Sequence, residues 1–200
     1  MSLRHAVGLL SRPKAEWGAI RERRYGVARS FVTHTAVLAL IPAIAGYVGT
    51  TRTGWRIGAG AAVRLTEESA SRIAVLSYLA MLAATFAVAW AIHWMSRTYG
   101  ARQPLGQCYA LATWTATPLF LVGVVQLQPI LWMNLIVGLP VLAWTVYLFY
   151  LGVPVMMEIP EERGFLFSSA VLAFGLVALV ALLALTVLLW SSGFGPSFTY

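Results

Sequence analysis

Five long apolar stretches constrain the fold of this chain more than any other feature of its sequence. A helix needs about 20 mostly apolar residues to cross the hydrocarbon core of a bilayer. Inside lipid, each backbone N–H and C=O group must be hydrogen-bonded within its own segment, which predicts helices and not strands. The fold class is therefore predicted to be all-α, a polytopic integral membrane helical bundle with about five transmembrane helices. The predicted spans are residues 31–50, 73–95, 109–125, 130–153 and 165–190.

The composition agrees with this fold class, because 60% of the residues are hydrophobic and only 10% are charged. A typical soluble domain is ~45–50% apolar and ~25% charged. The formal net charge is +7, and a basic protein can bind nucleic acid through a solvated basic surface. Here the basic residues flank the apolar stretches instead. We therefore expect the lipid bilayer as a partner, with anionic lipids near the basic residues, and no nucleic acid.

The chain is expected to form one five-helix transmembrane domain, residues 31–200, preceded by a cytoplasmic or interfacial amphipathic segment, residues 1–30. Pro13 suits the first turn of a short helix in that segment, and Trp17 and Ile20 then share one face. An apolar stripe followed by cations is typical of an interfacial helix in the headgroup region. Such a stripe also packs on the ends of spanning helices, and both interpretations stay open. The cations are Arg21, Arg23 and Arg24.

The positive charges predict the orientation of the helices, because short cytoplasmic segments are enriched in Lys and Arg. With the N-terminus inside, ten Lys and Arg residues lie on the inner side and four on the outer side. All four outer cations belong to the first loop, residues 51–72. The sequence therefore predicts an N-terminus inside and a C-terminus outside.

Two of the linkers carry predictions of their own. Only residues 126–129 separate the third and fourth spans, which indicates a tight helical hairpin. In the first loop, short apolar arms on either side of a glycine turn at 58–60 predict a small β-hairpin. Thr66, followed by Glu67 and Glu68, predicts the start of the second spanning helix, because the hydroxyl caps the helix and the carboxylates suit its positive end.

Three prolines lie inside the spans, at Pro42, Pro118 and Pro140. Proline removes a backbone donor and clashes with the preceding turn, so each one is expected to kink its helix. A kinked helix serves either a cavity or the packing of the bundle, and the sequence does not decide between these uses.

The spans contain no Lys, Arg, Asp or Glu, although intramembrane charges commonly mark transport and proton-relay sites. His34 and His93 lie in spans and are interpreted as structural, hydrogen-bonded residues, since neither has a second metal ligand one turn away. The sequence contains no HExxH, CxxC or GxSxG motif, and no Asp is present to complete a Ser-His-Asp triad. We therefore expect no enzymatic activity, no metal and no cofactor.

The segment between the fourth and fifth spans is the most distinctive part of the sequence. Gly152 and Pro154 are expected to end the fourth helix at the membrane border, and Pro160 is expected to open the fifth. Glu158 is expected to form a salt bridge with an arginine of the inner loop between the second and third spans, and a role in partner binding is the alternative. The arginines of that loop are Arg97 and Arg102.

Three stretches resemble the Yip family of five-helix membrane proteins, which includes the eukaryotic Rab-GTPase-interacting trafficking proteins and a bacterial branch. They are LLSRPKAEW at residues 9–17, YGARQPLGQCYALATWTATPLFLVGVVQLQP at 99–129 and YLGVPVMMEIPEERGF at 150–165. The resemblance implies an inside N-terminus and an outside C-terminus. It is closest to the bacterial branch, because eukaryotic members have a longer polar N-terminal region. It therefore implies a multi-pass protein of the bacterial inner (cytoplasmic) membrane, and the short N-terminal region is a departure from the members that interact with GTPases.

Two functions remain open at this point. The first is a non-enzymatic scaffold or adaptor of Yip type, which binds other membrane proteins, or itself as a homo-oligomer, or organises the membrane. An alanine stripe at 83, 87 and 91 permits the close helix contact that either the fold or a dimer requires. The alternative is a small-solute channel or permease, lined by Asn134 and the threonines at 113, 115 and 117; Asn134 is otherwise expected to hydrogen-bond to another helix. The candidate interaction residues are Trp17, Arg21, Arg23, Arg24, Pro118, Asn134, Gly152, Pro154, Glu158 and Pro160.

Overall fold

The described residues include one short helix, over Pro13–Glu22, and five long helices. The structure, a computed structural model, describes residues 5, 8–9, 11–56, 61–191, 195 and 197–199. In this part of the chain, α1 (Pro13–Glu22) precedes five helices that are long and apolar enough to cross a membrane. The prediction of an all-α polytopic membrane bundle is confirmed. The spanning helices are α2 (Val27–Thr53), α3 (Glu67–Tyr99), α4 (Leu105–Leu127), α5 (Leu131–Met157) and α6 (Glu161–Leu188).

The centre of the bundle is occupied by α4, although it is the least apolar of the spanning helices. Most side chains of α4 are buried, because α2, α3 and α5 all pack against it. Polar side chains are costly in lipid, and this position shields the threonines of α4 from it. By contrast, no described side chain of α6 beyond Val171 is buried. The most apolar helix is therefore the one left to the lipid.

The prolines of the spans differ in their effect on the helices. Near Pro42 the regular helix is interrupted at Ala39, as expected where proline removes a backbone donor. Pro118 and Pro140 lie inside continuous helices. Pro42 also packs closely on α4, because a Cβ atom added to Gly123 would lie 2.5 Å from the Cβ of Pro42. Only glycine allows α2 and α4 to approach this closely.

The predicted start of α3 and the predicted hairpin between α4 and α5 are both observed. The backbone N–H of Ser69 donates to Oγ1 of Thr66 at 3.2 Å, which caps α3 as expected. The last residue of α4 is Leu127 and the first residue of α5 is Leu131. The two helices therefore form a tight antiparallel pair.

The end of α5 differs from the prediction. Gly152 and Pro154 were expected to break this helix, but it continues through both and ends at Met157. Pro154 removes a single backbone donor, and neighbouring turns maintain the helix, as is common for proline in membrane helices. The helix ends because Glu158 adopts a left-handed backbone conformation, with φ of 55° and ψ of 45°. The N–H of Ile159 then donates to the carbonyl of Pro154 at 3.2 Å.

Backbone pairing closes the end of the bundle that lies away from α1. Trp55 and Val63 exchange two backbone hydrogen bonds, of 2.7 and 3.0 Å, as the two arms of the predicted hairpin would. The glycine turn expected at 58–60 lies outside the described residues. Strand β1 (Arg64–Leu65) then pairs antiparallel with β2 (Phe198–Thr199). This end of the bundle is called the opposite end below, and the end that carries α1 is called the α1 end.

Candidate interaction site at the α1 end

The apolar face of α1 is buried against the spanning helices. Trp17 and Ile20 are both 0% exposed. The indole of Trp17 lies directly on Gly152 of α5, because a Cβ atom added to Gly152 would be 2.7 Å from Cε2 of Trp17. Two of the predicted interaction residues therefore meet. Of the two interpretations of the apolar stripe, packing on the spanning helices is the correct one for this face.

Polar contacts of Arg21 extend this docking to the ends of α4 and α5. Nη1 of Arg21 donates to the carbonyl of Val155 at 3.4 Å. Nε2 of Gln107 donates to the backbone carbonyl of Arg21 at 3.1 Å. Nε of Arg21 lies 3.9 Å from Oε1 of Glu158, and both side chains are partly exposed. An exposed ion pair of this kind contributes about 0–1 kcal/mol, so the burial of Trp17 and Ile20 dominates the docking.

The expected salt bridge of Glu158 with Arg97 or Arg102 is therefore wrong. The partner of Glu158 is Arg21, because α1 folds back over the end of α5 and brings its last turn to this carboxylate. The sequence pattern of residues 1–30 indicated a helix but did not indicate which spanning helix it contacts.

The two cations that directly follow α1 point away from the core. Arg23 and Arg24 are exposed. Nη1 of Arg23 donates to the hydroxyl of Tyr25 at 3.3 Å. Arg24 has a positive φ of 42°, which ends α1 and turns the chain toward α2. Both guanidinium groups are available to solvent, lipid headgroups or a protein partner.

A cavity of about 700 Å³ opens between the end of α1 and the first turns of α2 and α4. Its wall includes two cations and two carboxylates. It also includes Gln107, which is 5% exposed and whose Oε1 has no hydrogen-bond partner among the described residues. The charged residues of the wall are Arg21, Arg24, Glu22 and Glu158.

The remaining residues of the 150–164 segment hold α6 against α5. Pro154 packs on Gly164, where an added Cβ atom would lie 2.9 Å from the Cβ of the proline. Pro160 immediately precedes the first residue of α6, as expected, and two glutamates follow it in the first helical turn. These prolines therefore contribute to the α5–α6 contact, whereas Gly152 and Glu158 face α1.

A hydrogen-bonded network joins α2 to α4 inside the membrane. Nε2 of His34 and Oγ1 of Thr117 are 2.8 Å apart, and His34 is 2% exposed. Oγ1 of Thr35 is 2.7 Å from Oγ1 of Thr113, and it also accepts from the hydroxyl of Tyr109 at 3.0 Å. The structural interpretation of His34 agrees with these contacts, which use two of the three threonines in helix packing.

Asn134 and Pro118 lie away from the α1 docking site. Nδ2 of Asn134 donates to the backbone carbonyls of Gln128 and Ile130, at 3.1 and 2.9 Å. The expected hydrogen bond from Asn134 to another helix is therefore wrong, because the side chain bonds to the turn between α4 and α5 and to its own helix. Pro118 is buried within α4.

Sequence reasoning missed a cluster in which His5 contacts the carboxylate of Glu16. Nε2 of His5 also lies 3.4 Å from the hydroxyl of Tyr25. The His5 ring makes an edge contact with Trp114 of α4, with ring centroids 5.3 Å apart. His5 belongs to no recognisable motif, and no sequence signal pairs it with Glu16. The cluster adds a second anchor between the start of the chain and α4.

Five spanning helices, with a short basic helix docked on one end, define a polytopic integral membrane protein whose accessible cations gather beside α1. The chain belongs to the Yip1 domain family, since the family model of the Yip1 domain matches residues 7–182. It is 40% identical to the inner membrane protein YohC of Escherichia coli K12 over 190 residues, which is 95% of this chain and 97% of the relative. The YohC protein of E. coli O6:H1 matches to the same extent. No solved structure matches the chain. The resemblance to the Yip family is confirmed.

Proposed function

We propose that the protein is a non-enzymatic membrane scaffold or adaptor, which contacts other membrane proteins and anionic lipid through its α1 end. The docking of α1 is the observation that carries this proposal. Trp17, buried on Gly152, holds a short basic helix at one position on the bundle. Arg23 and Arg24 are therefore presented at the surface without the entropic cost of ordering a free tail.

The hydrogen bonds inside the membrane support the same proposal over a channel. Hydroxyl groups that line a solute path must exchange hydrogen bonds with the solute. Here Thr113 bonds to Thr35 and Thr117 bonds to His34, so these groups stabilise the contact between α2 and α4. Asn134 bonds to backbone carbonyls at the α4–α5 turn.

We also propose that the protein lies in the bacterial inner membrane with its N-terminus inside and its C-terminus outside. Two curated relatives carry the name inner membrane protein, which supports this membrane. Nine of the described Lys and Arg residues lie at the α1 end and four at the opposite end. This difference supports an α1 end on the inner side, because short inner segments are enriched in cations.

Cysteine labelling tests the orientation. Cys108 is buried, and a Cys108→Ser background leaves no native thiol. Into it, Lys14→Cys at the α1 end and Arg72→Cys at the opposite end are introduced separately, since both side chains are exposed. A membrane-impermeant maleimide is expected to label Arg72→Cys on intact spheroplasts and Lys14→Cys only after lysis. The reverse labelling pattern would contradict the proposed orientation.

Lipid selectivity tests the basic surface of α1. Combined replacement of Arg21 and the two arginines that follow α1 by glutamine is expected to lower the preference for phosphatidylglycerol over phosphatidylcholine at least twofold. A twofold change corresponds to about 0.4 kcal/mol, and three exposed charges that each contribute a fraction of about 1 kcal/mol account for it. The preference is measured in reconstituted membranes from the electron paramagnetic resonance spectra of spin-labelled lipids in the first shell around the protein. The substitutions are Arg21→Gln, Arg23→Gln and Arg24→Gln.

A variant with the same change in charge controls this experiment. Three exposed arginines of the opposite end are dispersed along the chain, and one of them, Arg72, already lies 3.5 Å from Glu68. Their combined replacement is expected to alter the preference less than the replacement in α1. Equal effects in the two triple variants would show that total charge, and not the α1 surface, selects the lipid. The control substitutions are Arg52→Gln, Arg64→Gln and Arg72→Gln.

A further inference from the structure

The cavity at the α1 end has a wall that carries both signs of charge. Arg21 Nε and Glu158 Oε1 are 3.9 Å apart, which exceeds hydrogen-bond distance, so both groups keep bonding capacity for a ligand. Arg24 and Glu22 also border the cavity, and neither side chain has a hydrogen-bond or ion-pair partner among the described residues. The wall therefore offers two cations and two carboxylates, of which only Arg21 and Glu158 pair with each other.

The start of α4 is a further feature of the same wall, and it favours a ligand with an anionic group. Pro104, directly before α4, and Gly106, in its first turn, border the cavity. The start of a long helix carries unpaired N–H groups and a partial positive charge. A phosphate suits the helix start and the arginines, whereas a primary ammonium group suits the carboxylates.

We propose that this cavity binds the phosphoethanolamine headgroup of a phospholipid. The phosphate faces Arg24, Arg21 and the start of α4. The ammonium group faces the carboxylates of Glu22 and Glu158. A headgroup with opposite charges two carbons apart matches a wall on which opposite charges lie a few ångströms apart.

The same wall disfavours the other common headgroups. Phosphatidylglycerol brings a negative charge and no cation, so its phosphate would face two carboxylates without compensation. Phosphatidylcholine brings a quaternary ammonium group, which has no N–H to donate to the carboxylates. The position of the cavity, beside the first turns of two spanning helices, is where headgroups lie. This inference rests on the membrane-surface function proposed above, and it adds a zwitterionic lipid bound in the cavity to the anionic lipid that the exposed arginines attract.

Native mass spectrometry of the full-length protein in detergent tests the inference. Phosphatidylethanolamine, phosphatidylglycerol and phosphatidylcholine with identical acyl chains are titrated separately, and phosphatidylethanolamine is expected to bind about tenfold more tightly than either of the others. Arg24→Gln is expected to weaken phosphatidylethanolamine binding about tenfold, as the loss of one charge-assisted hydrogen bond does. Arg23→Gln is the matched control, because Arg23 immediately precedes Arg24 in the chain but lies outside the cavity wall. Equal affinity for the three lipids, or equal losses in the two variants, would overturn the inference.

A carboxylate variant separates headgroup recognition from simple charge attraction. Glu22→Gln is expected to weaken phosphatidylethanolamine binding while leaving phosphatidylglycerol binding equal or stronger, because only the ammonium group loses a partner. Soluble glycerophosphoethanolamine is expected to displace the bound lipid, whereas glycerophosphoglycerol is not. Equal displacement by both compounds would contradict the proposed headgroup. A protein that keeps its preference for anionic lipid around α1 but lacks phosphatidylethanolamine selectivity would refute this inference and leave the proposed function intact.

Discussion

Replacement of Trp17 by alanine is expected to release α1 from the bundle and to lower the free energy of unfolding by about 3–5 kcal/mol. Trp17 is fully buried in the main hydrophobic cluster of the protein, where it packs on Gly152 beside Leu111, so its loss would leave a large cavity. Thermal unfolding in detergent measures the loss of stability. Trypsin cleavage after Arg21 and Arg23 measures the release of α1, because a docked helix resists cleavage.

The matched control for this prediction is Trp94→Ala. Trp94 is 63% exposed on α3 and contacts lipid or solvent, so its loss should change stability little.

The docking is also tested from the side of α5. Gly152→Val is expected to destabilise the protein by about 1–3 kcal/mol, because the new side chain would overlap Trp17. Gly138→Val in the same helix has open space around it and should be tolerated. Normal protection of α1 in both Trp17→Ala and Gly152→Val would refute the docking.

Thr35→Val is expected to lower the free energy of unfolding by about 2 kcal/mol, since two interhelical hydrogen bonds in a membrane contribute roughly 0.6–1.7 kcal/mol each. Oγ1 of Thr35 bonds to both Thr113 and Tyr109. Valine has nearly the same shape, so the change removes the hydroxyl and leaves two buried polar groups without their partner. Thermal unfolding in detergent measures the effect.

Thr33→Val provides the control on the same helix. Thr33 is exposed, and its hydroxyl donates to the carbonyl of Arg29 one turn earlier, so no other helix depends on it.

Solute flux in proteoliposomes is measured in parallel. Wild-type protein is expected to give no flux above empty vesicles for ions and small neutral solutes. Flux in the wild type that disappears in Thr35→Val, without a loss of stability, would favour a channel over the packing role.

The spans were predictable from sequence because the property that decides them is local. About twenty apolar residues without a charge form a helix in lipid whatever their neighbours are. The ends of the helices were less predictable. The helix α5 continues through Pro154 because one missing donor does not stop a helix whose other hydrogen bonds are intact, and it ends at Glu158 through a left-handed conformation that few residues other than glycine adopt.

The residues of the α1 site were identifiable one by one, but their contacts were not. Trp17 was singled out by its apolar stripe, and Gly152 by its place near a proline. Their contact depends on how α1 folds back onto α5, which is a tertiary property that no periodicity encodes. The same limitation explains the wrong partners assigned to Glu158 and Asn134. It also explains why His5, which belongs to no motif, was not identified.

The central position of α4 has a consequence for the order in which the bundle assembles during synthesis. A growing chain enters the bilayer from its N-terminal end, so α2 and α3 are inserted before α4. The α2 residues His34 and Thr35 are then already in lipid when α4 arrives. The helix that is most costly to leave in lipid therefore meets its hydrogen-bond partners on entry, and α5 closes over it afterwards. The last helix to be inserted, α6, is the one that tolerates lipid on nearly all sides.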